Sequence, residues 1–405
     1  MAVTFPRGWR AGSAACGIKA FTAGASAIPS GQKDDLAVVH SQLPCDAAGV
    51  FTTNRVKSAT IVIDQLHLRQ NRVQAFVVNS GNANACTGAQ GYKDALQMAK
   101  LTADRLDLDP PQVIVSSTGV IGRYLPMDAV KRGIADACAG LTDEGGDAAA
   151  RAIMTTDTVV KQASGQVDIG GTTVRIGGMC KGSGMIHPNM ATMLAYLTTD
   201  AAVEPGFLSG IVKRVADRSF NQVTVDGDSS TNDSFLIFAN GAAGNPAVTA
   251  GSADADRLEA ALLAVARDLA RQIARDGEGA TRLITVRVTG GGTADDARLA
   301  ARSVAASSLV KAAVHGGDPN WGRIVCALGY SGADLAIDRL DLSIAGLTVF
   351  TRGAGQPVDL AAVRTAFESP EIEIHAELGL GEGTAEAWGC DLSEEYVRIN
   401  ADYTT

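Results

Sequence analysis

Lys181-Gly-Ser-Gly-Met-Ile-His-Pro-Asn-Met-Ala-Thr-Met-Leu194 crowds polar and chain-breaking residues directly upstream of an apolar run. Gly182 and Gly184 permit φ above zero and Pro188 restricts His187 before it, so the stretch predicts a constrained, strained turn that delivers a β-strand. Within it, Ala191-Thr192 sets a β-branched hydroxyl residue after a small one, a peptide suited to attack by the Thr192 side chain and an N-to-O acyl shift. Cleavage would leave Thr192 at a new N-terminus. A free α-amine titrates near 7.7–8.0, so nucleophile and base then lie on one residue and no histidine is required. A plain Gly/Pro loop leading into a strand fits the same residues.

Outward from this stretch, short β-branched runs alternate with helical periodicity. Leu36–His40, Thr60–Ile63, Ala75–Val78 and Val113–Ser117 are strand candidates, and Tyr92–Leu106 is an amphipathic helix between the last two. Phe207–Phe220 carries Phe207, Ile211 and Val215 on one face. Asp254–Arg275 is the clearest helix, with Leu258, Leu262, Val265, Leu269 and Ile273 in line and Gly277 as its stop. Ile284–Thr289 alternates as a half-buried strand, and Thr293-Ala-Asp-Asp296 resembles a capping box opening a helix to about Ser307. Asp341–Phe350 and Glu371–Leu378 are further strands. The pattern predicts a layered α/β chain, with a core over 1–284 and a smaller α+β lobe over 285–405.

Composition narrows the function. The chain has 405 residues, 46% apolar, with 35 Lys plus Arg against 44 Asp plus Glu and a net charge of −9. An acidic chain without a Lys/Arg block is a poor match for nucleic acid or an anionic membrane, which leaves a small polar ligand as the expected partner. Seven scattered cysteines without a C-x-x-C pair read as reduced thiols of a cytoplasmic protein. Five dispersed histidines lack metal-binding spacing, so no metal is expected. No apolar run approaches the roughly 18 residues of a membrane helix, and the start of the chain does not read as a signal peptide. Gly379-x-Gly381-x-Gly383 predicts a turn, because a dinucleotide fingerprint needs a third glycine at another spacing. Asp226–Asp233 opens like a calcium loop, but Thr231 and Ile237 occupy the positions that need Gly and Glu. Neither a G-x-S-x-G elbow nor a P-loop is present.

The stretch 181–194 resembles the self-cleavage and nucleophile motif of the ornithine acetyltransferase family, the bifunctional glutamate N-acetyltransferases of arginine biosynthesis. The resemblance runs along nearly the whole chain, through Gly49-V-F-T-T-N-R-V-K57, Val78-N-S-G-N-A-N-A-C-T-G88, Ser116-S-T-G-V-I-G122, Ile153-M-T-T-D-T158, Asp226-G-D-S-S-T-N-D-S234, Gly277-E-G-A-T281 and Ser308-L-V-K-A-A-V-H-G-G-D-P-N-W-G-R323. It implies a four-layer α/β/β/α core and cleavage between Ala191 and Thr192 into an α chain (1–191) and a β chain (192–405). Two of each would assemble together. It further implies ping-pong transfer of acetyl from N-acetylornithine to glutamate through acetyl-Thr192. The residues matching the family's oxyanion pair are Thr118 and Gly119. Those matching its substrate ligands are Lys181, Glu278, Asn400, Thr405 and one of Thr155 and Thr156, with Thr155 favoured. An exchange between two amino acids needs no cofactor. Acetyl-CoA stays open as a co-substrate, since some members use it and others do not. Taken without the family, Lys181 is a solvated lysine, Glu278 a surface carboxylate at a helix end, Ser116-S-T-G119 a strand-end turn and Met154-T-T-D157 an N-cap cluster. Gly317-D-P-N-W-G-R323 reads as a turn whose Trp321 packs a lobe interface. Two other functions compete: an N-terminal-nucleophile aminopeptidase or amidohydrolase, in which water takes the acyl group, and a non-catalytic binding protein on the same scaffold.

Overall fold

A computed structural model describes residues 2–23, 33–70, 72–187, 193–357 and 359–402. Along the chain run β1 (Trp9–Ala14), α1 (Ile18–Thr22), β2 (Leu36–Phe51), α2 (Ala59–Leu68), β3 (Val73–Asn82), α3 (Gly88–Leu106) and β4 (Val113–Val120). Then come α4 (Met127–Ala139), α5 (Gly146–Ala152), β5 (Lys161–Ile169), β6 (Thr172–Lys181), β7 (Leu194–Thr199), α6 (Phe207–Asp217), β8 (Val223–Thr224), β9 (Ser234–Ala239) and α7 (Ala253–Arg275). The remainder holds β10 (Leu283–Gly291), α8 (Ala294–Ala306), α9 (Ser308–His315), α10 (Trp321–Gly329), β11 (Asp341–Ile344), β12 (Leu347–Thr351), β13 (Ala354–Gly355), α11 (Leu360–Ala366), β14 (Glu371–Glu377), β15 (Gly383–Cys390) and α12 (Glu394–Asp402).

The long strand β2 generates the layering. Its first part pairs with β1 and β3, its register breaks between His40 and Cys45, and Asp46–Phe51 then pairs with β9. One strand therefore belongs to two half-sheets, β1-β2-β3-β4 and β2-β9-β7-β6-β5, which fold over a shared core. In that core Phe76 of β3 stacks on Tyr196 of β7 at 4.5 Å and on Phe238 of β9 at 5.2 Å. Strand alternation sends the neighbouring residues outward. Ala75 and Val77 pack with Met98 of α3 and Ile134 of α4, while Ala195 and Leu197 pack with Val215 of α6 and Leu262 of α7. The order α3/α4, half-sheet, half-sheet, α6/α7 is the expected four-layer α/β/β/α core.

Helix α7 forms where its periodicity predicts. The Ser252 hydroxyl accepts from Ala255 N, Asp254 and Asp256 lie in the positive first turn, and the Leu258–Ile273 stripe is buried. The second sheet runs β13-β12-β11-β14-β10-β15-β8, so it recruits Val223–Thr224 from far upstream. It is covered by α8, whose start carries the predicted capping box of Thr293 and Asp296.

Three expectations need correction. Thr60–Ile63 lies in helix α2, not a strand; the Ser58 hydroxyl caps it, and its buried residues recur at helical spacing as Ala59, Ile63 and His67. Asp341–Phe350 is a hairpin instead of one strand, because Ala345 (φ 49°) and Gly346 (φ 79°) form a two-residue turn with both φ positive. Trp321 does not pack a lobe interface: its ring meets Phe350 at 5.5 Å, and a Cβ on Gly355 would touch it at 2.5 Å, both inside the second-sheet lobe. Among the described residues, no helix is long and apolar enough to cross a membrane.

Candidate active site

The end of β4 supplies Thr118 and Gly119. Gly119 sits at φ 132°, and a Cβ there would lie 2.2 Å from the Gly81 carbonyl carbon and 2.5 Å from Asn82 N, so only glycine lets β4 close against β3. The turn is fastened from both sides. Ser117 Oγ donates to Asn79 Oδ1 at 2.6 Å, and Asn232 Nδ2 donates to the Ala83 and Ser117 carbonyls at 2.6 and 2.7 Å. Lys181, the last residue of β6, is buried, with Nζ 3.5 Å from Thr118 Oγ1.

Past Lys181 the chain makes the strained turn the sequence predicts. Met185 adopts φ 56°, a left-handed conformation uncommon outside glycine, and the Asp226 carboxylate holds it there by accepting from Met185 N at 2.6 Å and Ile186 N at 2.8 Å. Glu278, just after α7, donates its backbone N–H to the Ser183 carbonyl at 2.8 Å, and its Oε2 accepts from Asn400 Nδ2 of α12 at 2.8 Å. Thr156 Oγ1 and Ser183 Oγ share a hydrogen bond of 2.6 Å. Thr155 donates its N–H to Asp157 Oδ2 at 3.0 Å.

These side chains line one cavity of about 290 Å³. Thr118, Gly119, Thr155, Thr156, Lys181, Glu278 and Asn400 all face it, although the chain separates them by up to 282 positions. The Thr155/Thr156 choice stays open there, since both line the wall. Residues 188–192, with Ala191 and Thr192, and Thr405 at the far end lie outside the described residues. Met193, the residue after Thr192, lines the cavity.

The cavity carries one ammonium among several carboxyls, whose states differ by environment. Burial raises Asp226 above the usual carboxylate range even though three backbone N–H groups oppose it, and burial pushes the fully enclosed Asp233 well above it. Burial, with Asp226 and Glu278 nearby, raises the Tyr396 phenol as well. The wall thus offers a cation for a carboxylate, an acceptor for an ammonium, and a hydroxyl beside a backbone turn for a developing oxyanion. Among the described residues, no group of three or more His, Cys, Asp or Glu is arranged to hold a metal ion.

Behind the wall lies a group that sequence reading misses. Lys161 is wholly buried and bridges Asp157 Oδ1 at 2.7 Å and Asp276 Oδ2 at 2.5 Å. Asp157 Oδ1 also accepts from Gly182 N at 2.7 Å, and Asp276 accepts from Thr158. One ammonium therefore ties the Thr155–Thr158 loop, the Lys181–Gly182 turn and the end of α7 ahead of Glu278. The i,i+4 spacing of Asp157 and Lys161 is the only signal in the sequence; nothing near them points to Asp276.

Gly184 gives a direct test of how Glu278 is placed. A Cβ there would lie 2.4–2.5 Å from the Glu278 carboxylate atoms, so Gly184→Ala must displace that group. If Glu278 accepts from a substrate ammonium, as the family resemblance implies, losing that charge-assisted hydrogen bond costs about 1.5–3 kcal/mol, and KM for the ammonium-bearing substrate is expected to rise about ten- to a hundredfold. Steady-state kinetics checks this, and an unchanged KM would remove Glu278 from substrate binding.

A layered α/β enzyme with a polar pocket whose wall carries both charges, suited to a small molecule that does the same, is the class that fold and site define. The ArgJ family model matches residues 10–405. The arginine biosynthesis bifunctional protein ArgJ of Symbiobacterium thermophilum is 52% identical over 403 residues, covering 100% of this chain and 98% of its own. Its counterpart from Dehalococcoides mccartyi is 48% identical over 403 residues, covering 100% and 97%. A crystal structure of arginine biosynthesis bifunctional protein ArgJ from Bacillus halodurans is 41% identical with a TM-score of 0.50, covering 51% of this chain and 98% of that one. The chain belongs to the ArgJ family.

Proposed function

We propose that this protein cleaves itself between Ala191 and Thr192 and then transfers the acetyl group of N2-acetyl-L-ornithine to L-glutamate, in arginine biosynthesis, through acetyl-Thr192. The carrying observation is that Thr118, Gly119, Lys181, Glu278, Asn400 and the Thr155/Thr156 pair converge on the cavity that Met193 also lines. In this reading the Thr192 α-amine takes the hydroxyl proton as Thr192 Oγ1 attacks the acetyl carbonyl. The Thr118 hydroxyl and the Gly119 N–H donate to the oxyanion, and ornithine leaves with the proton. The glutamate amine then attacks the ester and restores Thr192. Lys181 pairs with a substrate carboxylate, and Glu278 accepts from a substrate ammonium.

Membership in a family whose relatives are named for arginine biosynthesis supports the pathway. The half-length chain of the Bacillus halodurans relative, 98% covered yet matching only 51% of this one, supports a two-chain mature form. The word bifunctional in the relatives' names supports acetyl-CoA as a second acetyl donor. No other cofactor enters the scheme. We place the mature enzyme in the cytoplasm as two α and two β chains.

The test is intact mass under denaturing conditions, before and after brief exposure to N-acetylornithine. Fragments of 191 and 214 residues, with one acetyl group gained by the longer, are expected. A single unmodified chain of 41.6 kDa would overturn the reading. Ornithine release that does not depend on glutamate would instead favour the hydrolase.

A further inference from the structure

A second cavity, of about 320 Å³, shares no lining residue with the first. Four arginines reach it from four places: Arg218 at the C-cap of α6, Arg267 on α7, Arg287 on β10 and Arg298 on α8. One carboxylate faces them, Glu386 of β15, which is the cross-strand partner of Arg287. Glu386 is already divided between Arg267 and Arg287, the latter at 3.0 Å, and Arg267 also lies over the Trp388 ring at 5.3 Å. Among the described residues, Arg298 reaches only Asp295, a surface carboxylate that is 74% exposed. Arg218 makes no hydrogen bond or ion pair among the described residues. Four arginines thus face Glu386 in the lining and Asp295 beside it, which leaves two positive charges in excess inside a chain whose net charge is −9.

Like charges gathered around a concave wall repel one another, and an anion within the concavity relieves that repulsion. Neighbouring Arg214 shows the alternative: it is clamped by Glu259 through two nitrogens and adds nothing to the excess. Planar guanidinium forks match phosphate oxygens two at a time. Gln222 also lines the wall, with its acceptor oxygen sealed beneath the surface. It is 3% exposed at the cavity wall, donates Nε2 to the Asp217 carbonyl at 3.0 Å, and leaves Oε1 without a partner among the described residues. A single carboxylate sets one negative charge against that excess, whereas a phosphate group carries up to about two at neutral pH and offers three acceptor oxygens to the guanidinium forks.

We propose that this arginine-lined cavity is a second ligand site, separate from the acetyl-transfer pocket, that binds a phosphate-bearing small molecule. The source is either a free phosphate anion or the phosphates of a nucleotide, and titration calorimetry separates them. Inorganic phosphate, diphosphate and ADP are each titrated into the full-length protein at constant ionic strength set with chloride. Saturable binding with one site per chain is expected, tightest for diphosphate if the anion alone is read and for ADP if the nucleoside contributes. The Arg218→Ala/Arg298→Ala double variant, which leaves the Glu386 pairs intact, is expected to bind at least about tenfold more weakly while transferring acetyl at the wild-type rate. No saturable binding of any probe below about 10 mM would overturn the proposal, as would equal affinity in wild type and variant.

Discussion

Thr192→Ala is expected to remain a single chain of 405 residues and to lose acetyl transfer by at least about 10⁴-fold, the scale seen when a covalent nucleophile is removed. Two losses coincide at this residue. Without the hydroxyl no ester forms, so the Ala191 peptide persists and the α-amine that would act as base stays locked in an amide. Thr192→Ser separates the roles, since it keeps the hydroxyl and regains the amine once cleaved. It is expected to process and turn over, more slowly because serine lacks the methyl group that restricts the rotamer. Gel mobility, intact mass and glutamate-dependent ornithine release check both variants. Two fragments from Thr192→Ala would sink the cleavage assignment, and full activity in an uncleaved chain would sink the terminal-amine mechanism.

Legibility in the sequence follows the range over which each feature is encoded. Helix α7 and the Thr293 capping box are readable because many local residues agree, with a long apolar stripe in one case and reciprocal side-chain bonds in the other. Thr60–Ile63 is not, since four residues are too few to tell a period of 2 from one of 3.6. The division of β2 between two half-sheets rests on a register break that no local pattern marks. At the site, the glycine-rich turn after Lys181 announces itself, and an anion at the negative end of α7 invites a reason, which the structure supplies as Asn400 and the cavity. Convergence of Thr118, Lys181 and Glu278 is legible through family resemblance and not through spacing. The supports behind them are silent in sequence. Asp226 acts on two backbone N–H groups 40 and 41 positions away, and Lys161 meets Asp276 across 115 positions.

Lys161→Met is the sharpest test of that hidden support. In wild type, burial alone would raise Asp157, but the ammonium groups of Lys181 and Lys161 and the Gly182 N–H outweigh it and hold the carboxyl below the usual range. A depressed carboxylate contributes stability that is fully present above its unfolded value of about 3.9 and is lost as pH falls through the folded value. The wild-type cluster is therefore intact from neutral pH down to about 4. Methionine fills the lysine stem but leaves Asp157 and Asp276 facing each other without the shared cation, with side-chain exposures of 0% and 6%. Stranding buried charge in this way costs about 3–5 kcal/mol, far more than the 0–1 kcal/mol of an exposed pair such as Lys100–Asp104. The pH response should also reverse. With Lys161 gone, burial of Asp157 is opposed only by Lys181 and the Gly182 N–H, so its carboxyl is expected to rise toward protonation and the variant to gain stability between pH 7 and 5, where wild type gains none from this cluster. Urea unfolding at both values measures the two effects together. Because Asp157 also holds Gly182 N and Thr155 N, KM for N-acetylornithine should rise in the same variant. A loss under about 1 kcal/mol, with parallel pH curves, would show that Lys161 is not what keeps these carboxylates charged and the pocket wall in place.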